Sequence, residues 1–321
     1  MDFKVSCIMI GKNLLSQGYP FVEAIESVIP FCSEIIISEG FSTDGTYEIL
    51  EKMQRGLGSF MKIYRRKWYG KRKMGNVFAS EFNFVKGKCS GRYILRLDPD
   101  HIFDPETLKE LELIARLRPE VDIFSLPYIT FTGQYVFKYI WASNFFRNKN
   151  HIASKKDSGS WGYTLRAIPN LMISYLARPD KFLRAVGSGT AKFRYYAYLT
   201  KPVFHYHAVF PGNYLERIKQ HQKYYTAYDW TNYQKVFPLL EAQDDWHKFW
   251  DTVVAEIYNK QAHYQKAYPI CGKYEGYPPH PLIMKHIWGN WTYSPAGNVL
   301  LSSANRMRKS GDDKKVKKNH L

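Results

Sequence analysis

The sequence predicts an α/β protein, with a mostly parallel central sheet flanked by helices and a C-terminal, mainly helical extension. Three observations carry that expectation. Strand and helix patterns alternate over roughly the first 130 residues, as they do where parallel strands are joined by crossover helices. The strand-like runs are short, apolar and rich in β-branched residues, as strands buried on both faces require. Beyond about Thr130 the alternation fades, and tyrosine, tryptophan and lysine become dense without any internal repeat.

The elements follow in order. Val5–Ile10 is a buried-strand run, and Tyr19–Pro30 spaces Phe21, Val22, Ile25, Val28 and Ile29 at helical intervals. Glu34-Ile35-Ile36-Ile37-Ser38 is a second strand. Thr43-Asp44-Gly45-Thr46 then opens a helix through Tyr47, Ile49, Leu50 and Met53, with Asp44 as its cap. Met61–Tyr64 reads as a third short strand, Val77–Gly87 as a helix and Tyr93–Leu97 as a strand. Asp104-Pro105-Glu106-Thr107 starts a helix with Asp at the N-cap and Pro at the first helical position. Val121–Leu126 restores strand character. Further on, Ala167–Asp180, Leu215–Tyr225 and Asp244–Tyr268 look helical, and Pro278, Pro279 and Pro281 suggest an irregular segment between Ile270 and Trp291. The expected division is a catalytic domain over 1–213 (halves 1–105 and 106–213), a helical and irregular extension over 214–305, and a basic tail over 306–321.

Asp98-Pro99-Asp100 is the most informative motif, placed at the end of the apolar run Tyr93-Ile94-Leu95-Arg96-Leu97. Alternate residues of a strand point the same way, so a spacing of two lets both carboxylates face one site, where they can hold a divalent metal against a diphosphate. In open parallel sheets ligands bind beyond the carboxyl ends of the strands. The loops after Ser38 and after Leu97 both leave such ends, so they can line one pocket. No Gly-x-Gly-x-x-Gly follows the first strand and no Walker loop is present, which argues against a dinucleotide or P-loop site.

Composition narrows the class. The chain has 321 residues, 45% of them hydrophobic and 17% aromatic, which excludes a disordered protein. The four cysteines are scattered without paired spacing, so neither a zinc site nor a disulfide framework is suggested. With no apolar stretch of spanning length and no leader pattern before Val5, a cytoplasmic location is expected. The formal charge of +17 favours a polyanionic partner. Seven basic residues fall in Lys62–Lys73, and seven more in Arg306–Lys318 against Asp312 and Asp313. These clusters suggest peripheral contact with the cytoplasmic face of an anionic membrane.

Four segments resemble family 2 glycosyltransferases. They are Val5–Asn13; the turn Ser38-Glu39-Gly40-Phe41-Ser42-Thr43-Asp44-Gly45-Thr46; Asn83 with Gly91–Asp100; and Phe204-His205-Tyr206 followed by Val209 and Pro211. The resemblance implies the nucleotide-diphospho-sugar transferase fold of the GT-A type. It also implies that Glu39 reads the nucleotide base, standing where the family usually has Asp. Asn83 would contact the donor and Asp98 would lie near the ribose or the metal. Asp100 would bind Mn²⁺ or Mg²⁺, with His205 completing the metal shell. Phe82 stands where the family often has Arg, which removes a charge contact from that point. His207 shares the expected strand face of His205, and His101 is expected behind the ligands.

Inverting transfer needs a carboxylate to take the acceptor proton. Asp157, in Lys155-Lys156-Asp157-Ser158-Gly159-Ser160-Trp161, is the candidate, near a tryptophan that could stack on a sugar. The expected reaction is metal-dependent, inverting transfer from a nucleotide-sugar donor, a UDP-sugar first, to a hydroxyl on a glycan, lipid-linked saccharide or protein. A non-catalytic nucleic-acid binder would explain the charge and the 25 tyrosines but not the paired carboxylates, so nucleic acid is not the expected partner. A sugar nucleotidyltransferase would begin with a Gly-rich phosphate loop, which Gly11-Lys12-Asn13 does not supply.

Overall fold

The computed structural model describes residues 3–68, 74–137, 141–149, 152–154, 163–165, 196–224, 231–258, 270–275, 280–284 and 287–295. The N-terminal part builds strands β1 (Val5–Gly11), β2 (Glu34–Glu39), β3 (Met61–Arg65) and β4 (Tyr93–Arg96), with helices α1 (Phe21–Val28), α2 (Thr46–Leu57) and α3 (Met74–Lys86) between them. β1 pairs in parallel with β2 and β4, and β2 pairs in parallel with β3. Alternate residues of one strand enter two different cores. Val5, Cys7 and Met9 pack with Phe21, Val22 and Ile25 of α1, whereas Ile8 and Ile10 pack with Phe82 and Val85 of α3. Burial on both faces is why these strands read as continuous apolar runs.

The second half departs from the parallel expectation. After β5 (His101–Phe103) and α4 (Pro105–Leu117) come β6 (Ile123–Thr132), β7 (Tyr135–Phe137) and β8 (Trp141–Arg147). β8 lies antiparallel between β4 and β6, and β7 lies antiparallel beside β6. Among the described residues no helix separates these three strands, and short connections make antiparallel neighbours. The sheet is therefore mixed. Strands β9 (Ile152–Ser154) and β10 (Tyr163–Leu165) form a separate antiparallel pair. β11 (Tyr196–Tyr198) and β12 (Val203–Ala208) both run parallel to β6, and β12 also pairs antiparallel with β5.

Helices α5 (Pro211–Tyr224), α6 (Thr231–Glu241) and α7 (Trp246–Val253) follow, and they share an apolar cluster of Tyr214, Ile218, Tyr233, Leu240, Phe249 and Trp250. The expected irregular segment contains a strand, β13 (Ile270–Lys273), antiparallel to β7. Met284, Ile287 and Tyr293 pack into the main core, so the end of the described chain closes back over the sheet. Helix caps vary. Asp104 caps α4 by accepting from the Glu106 N–H at 2.9 Å. Gly45, with φ 94°, is the N-cap of α2, while Asp44 accepts from Thr46 N and Ser16 N and ties that helix to the β1 loop. The 167–180 helix expectation and the 306–321 tail lie outside the described residues.

Candidate active site

The loops leaving β1 and β2 are laced together. Gly40 N donates to Gly11 O, Thr43 N to Asn13 Oδ1, and Asn13 N to Ser42 Oγ, at 2.8–2.9 Å. Glu39, the last residue of β2, is fully buried and holds this turn from inside. Its Oε1 accepts from Ser42 N at 2.6 Å, and its Oε2 accepts from Phe41 N and Arg65 Nε, both at 3.1 Å. The Arg65 guanidinium lies 3.9 Å over the Tyr47 ring and 4.6 Å over Phe41. Phe41 is held at φ 55° and is 47% exposed. The surface this turn presents thus includes Phe41 and Thr43, with Glu39 beneath it.

Asp98, Pro99 and Asp100 form a turn between β4 and β5, closed by His101 N donating to Asp98 O at 3.0 Å. The two carboxylates therefore meet through a turn and not through strand alternation, and they flank the His101 ring. Asp98 Oδ2 is 3.8 Å from His101 Nδ1, and Asp100 Oδ1 is 3.9 Å from His101 Nε2. Asp98 is neutralised by a bidentate pair with Arg96, at 3.0 and 2.9 Å. Arg96 is buried and stacks 4.5 Å over Phe82. Asn83, next along α3, is half-buried.

Asp100 is the hub. The registers of β5, β12 and β6 set His101, His205 and Thr130 abreast. His205 Nε2 points at Asp100 Oδ2, 3.4 Å away, while its Nδ1 lies 3.3 Å from Thr130 Oγ1. His101 Nδ1 is held 3.1 Å from Asn144 Nδ2. Burial alone would raise the Asp100 carboxyl, but His205, His101 and Arg217 outweigh it and hold it well below the usual carboxylate range. Burial pushes His101 down to about 4 and holds His207 well below its ordinary value. Both are neutral at pH 7.

Asp100, His101 and His205 each offer one donor atom, and these lie within 4.8 Å of one another. One carboxylate oxygen with two imidazole nitrogens fits a divalent ion, and suits Mn²⁺ better than the all-oxygen preference of Mg²⁺. The Thr130 hydroxyl on His205 Nδ1 fixes that ring with Nε2 toward the carboxylate, as ligating imidazoles are usually held. His101, expected to stand behind the ligands, lies in the same group as Asp100 and His205.

Arg217 went unnoticed in the sequence. It is buried on α5, donates to the His207 carbonyl, reaches Asp100 Oδ2 at 3.4 Å, and stacks 4.0 Å over Tyr19. The signal was present: 214, 217, 218 and 221 share one helical face, so Arg217 and His221 interrupt the stripe of Tyr214 and Ile218. Burial, with Arg217 close by, pushes His221 down to about 3. Asp157, the expected base, lies outside the described residues, as do positions 69–73 of the first basic cluster.

The family model for glycosyl transferase family 2 matches residues 21–165. No curated protein matches the sequence. Among solved structures, S. aureus TarS 1–349 is similar at 14% identity, over 80% of this chain and 82% of that one, with a TM-score of 0.42. The same protein in complex with UDP gives 15% identity, coverages of 71% and 73%, and a TM-score of 0.38. Glucosyl-3-phosphoglycerate synthase from Mycobacterium tuberculosis, in complex with Mn²⁺, UDP and phosphoglyceric acid, gives 17% identity, coverages of 39% and 43%, and a TM-score of 0.29. These likenesses are distant. The matched segment runs from α1 to β10 and contains the Asp98–Asp100 turn, so residues 21–165 form a glycosyl transferase family 2 domain and the chain is an enzyme of the glycosyltransferase type.

Proposed function

We propose that this enzyme performs metal-dependent, inverting transfer of a sugar from a nucleotide-diphosphate donor, a UDP-sugar first, to a hydroxyl on a glycan, lipid-linked saccharide or protein. The single observation that carries the reading is the convergence of Asp100, His101 and His205 at the carboxyl edge of the sheet, with Arg217 alongside. Asp100 and His205, with His101, would hold Mn²⁺ or Mg²⁺, which when bound supplies positive charge to the departing nucleoside diphosphate. Arg217 adds a cation independent of metal loading, since a guanidinium stays protonated at any working pH. Asp98, balanced by Arg96, is free of the metal's demand and accepts hydrogen bonds from hydroxyls of the donor. Glu39 acts on the base through the turn it holds, and Asn83 borders the donor from α3. Asp157 is retained as the base that takes the acceptor proton.

The test is thermal-shift screening against UDP-, GDP- and TDP-sugars, with and without Mn²⁺. One donor should raise the melting temperature only when Mn²⁺ is present, and Asp100→Asn should abolish that shift and cut transfer about a hundredfold or more. An Asp100→Asn protein that binds and transfers like the wild type would end the proposal. Among the described residues no helix is long and apolar enough to cross a membrane. Cytoplasmic, peripheral attachment is inferred from charge alone, and failure to co-sediment with anionic liposomes at low salt would remove it.

A further inference from the structure

The donor set of Asp100, His101 and His205 brings a single negative charge to a metal, because imidazoles ligate in the neutral form. Asp98 adds none, since Arg96 balances it at 3.0 and 2.9 Å. Asp100 has a guanidinium beside it as well. Arg217 Nη2 lies 3.4 Å from Asp100 Oδ2, the same oxygen that His205 Nε2 faces at 3.4 Å. Both side chains of that ion pair are only 7% exposed, so salt and water screen little of it. Among the described residues, Asp98, Arg96, Asp100 and Arg217 are the full charges acting on the surrounding Tyr19, His101, Tyr128, His207 and His221.

Arg217 is also held in place. It donates to the His207 carbonyl and stacks 4.0 Å over the Tyr19 ring, and swinging aside would forfeit both contacts. A guanidinium does not shed its proton either. A bare divalent ion therefore meets a ligand set whose only negative charge is already balanced, and it leaves an uncompensated charge in a buried place. A diphosphate removes that obstacle. Each phosphoryl group of a nucleotide-sugar diphosphate carries one ionised oxygen, so ion and diphosphate together are neutral. The cluster is open to such an arrival, because the Asp98 and His205 side chains keep 17% and 20% exposure. Arg217 needs no contact with the ligand for this, since its charge acts through space across a buried site.

We propose that Arg217 is a specificity-determining residue that makes this site disfavour the bare divalent ion and take it together with a diphosphate. The inference rests on the metal-dependent donor reading given above. Asp100 supplies the ligand oxygen, and Arg217 sets the charge against which that oxygen binds. Metal and diphosphate then raise each other's affinity by one common factor.

The experiment measures Mn²⁺ affinity without nucleotide, by electron paramagnetic resonance, and UDP affinity with and without Mn²⁺. It compares wild type with Arg217→Met and Arg217→Lys. In the wild type Mn²⁺ should raise UDP affinity about tenfold or more. Arg217→Met should bind Mn²⁺ alone about tenfold more tightly than wild type, and metal-free UDP about tenfold more weakly. Arg217→Lys keeps the charge and should follow the wild type in both. Should Arg217→Met fail to fold, Arg217→Gln, which keeps a donor for the His207 carbonyl, carries the same expectation. An arginine that merely props Asp100 in place predicts the opposite sign, weaker Mn²⁺ binding on its loss. Weaker or unchanged Mn²⁺ binding by the neutral variant, or a lysine variant that behaves like it, would overturn the proposal while wild-type synergy keeps the donor reading intact. A wild type in which Mn²⁺ and UDP bind independently, or not at all, would remove the metal-dependent donor reading and this inference with it.

Discussion

At the scale of single residues, the two carboxylates of the Asp98-Pro99-Asp100 turn have been given different surroundings. Asp98 has its own guanidinium, a bidentate pair with Arg96 that sits over the Phe82 ring. Asp100 shares its charge among His205, His101 and Arg217. The first arrangement fixes a carboxylate in place, and the second leaves one poised for a cation. Arg96→Met should therefore destabilise the protein by about 3 kcal/mol, because it strands a largely buried Asp98 without its partner. Adding Asp98→Asn to Arg96→Met should recover most of that loss in urea unfolding, since the stranded charge goes too. A double variant no more stable than Arg96→Met would mean that packing of Arg96 on Phe82, not charge balance, sets the cost.

Elements are joined by a second carboxylate that no function claims. Glu34, at the start of β2, accepts from Ser6 Oγ on β1 and from Ser90 N and Oγ ahead of β4, and its Oε2 takes Lys62 Nζ of β3. One side chain thus staples four parallel strands at the end opposite the ligand edge. Burial would raise its pKa, but the Ser6 and Ser90 hydrogen bonds and Lys62 prevail and bring it down from 4.5 to about 2. The folded-state value lies below the unfolded one, so the stabilisation is complete above about pH 5 and drains away as pH falls toward 2. Solvent screening of the exposed Lys62 partner leaves about 1–2 kcal/mol of that shift as stability at neutral pH. Glu34→Gln should lose up to that amount at pH 7 and show little difference from wild type near pH 2, read by urea midpoints across the range. A deficit that stays constant with pH would show that the staple works by shape alone.

Across the whole molecule, the helical extension is fastened to the sheet at several contacts, among them Tyr135 with Asp251 and Val209 with Trp246, and one of them is especially tight. Gly133, between β6 and β7, has φ 52°, and a Cβ there would lie 2.0 Å from Trp250 Cγ on α7. Its N–H donates to Ala208 O at the end of β12. Gly133→Ala should cost about 3 kcal/mol or more, from a left-handed backbone and a displaced buried indole together. Trp250 fluorescence in the folded protein should change with it, and an unaltered emission would place the extension elsewhere in solution. The same extension supplies Arg217, so loosening this joint should also weaken donor binding.

Most of the α/β half was legible in the residues. Runs such as Glu34–Ser38 and Tyr93–Leu97, buried on both faces, have no other stable reading, and Asp104-Pro105 marks a helix start by local chemistry alone. Asp100 and His205 were nameable because their residue types and motif context speak for themselves. Local pattern could not reveal that β8 slots antiparallel between β4 and β6, because strand order is settled by long-range pairing. Nor could it show that Glu39 turns inward onto Arg65, or that His101, Tyr128 and Arg217 gather around one turn from β5, β6 and α5. Periodicity tells a side chain which face to take, whereas which faces meet depends on the packing of elements far apart along the chain.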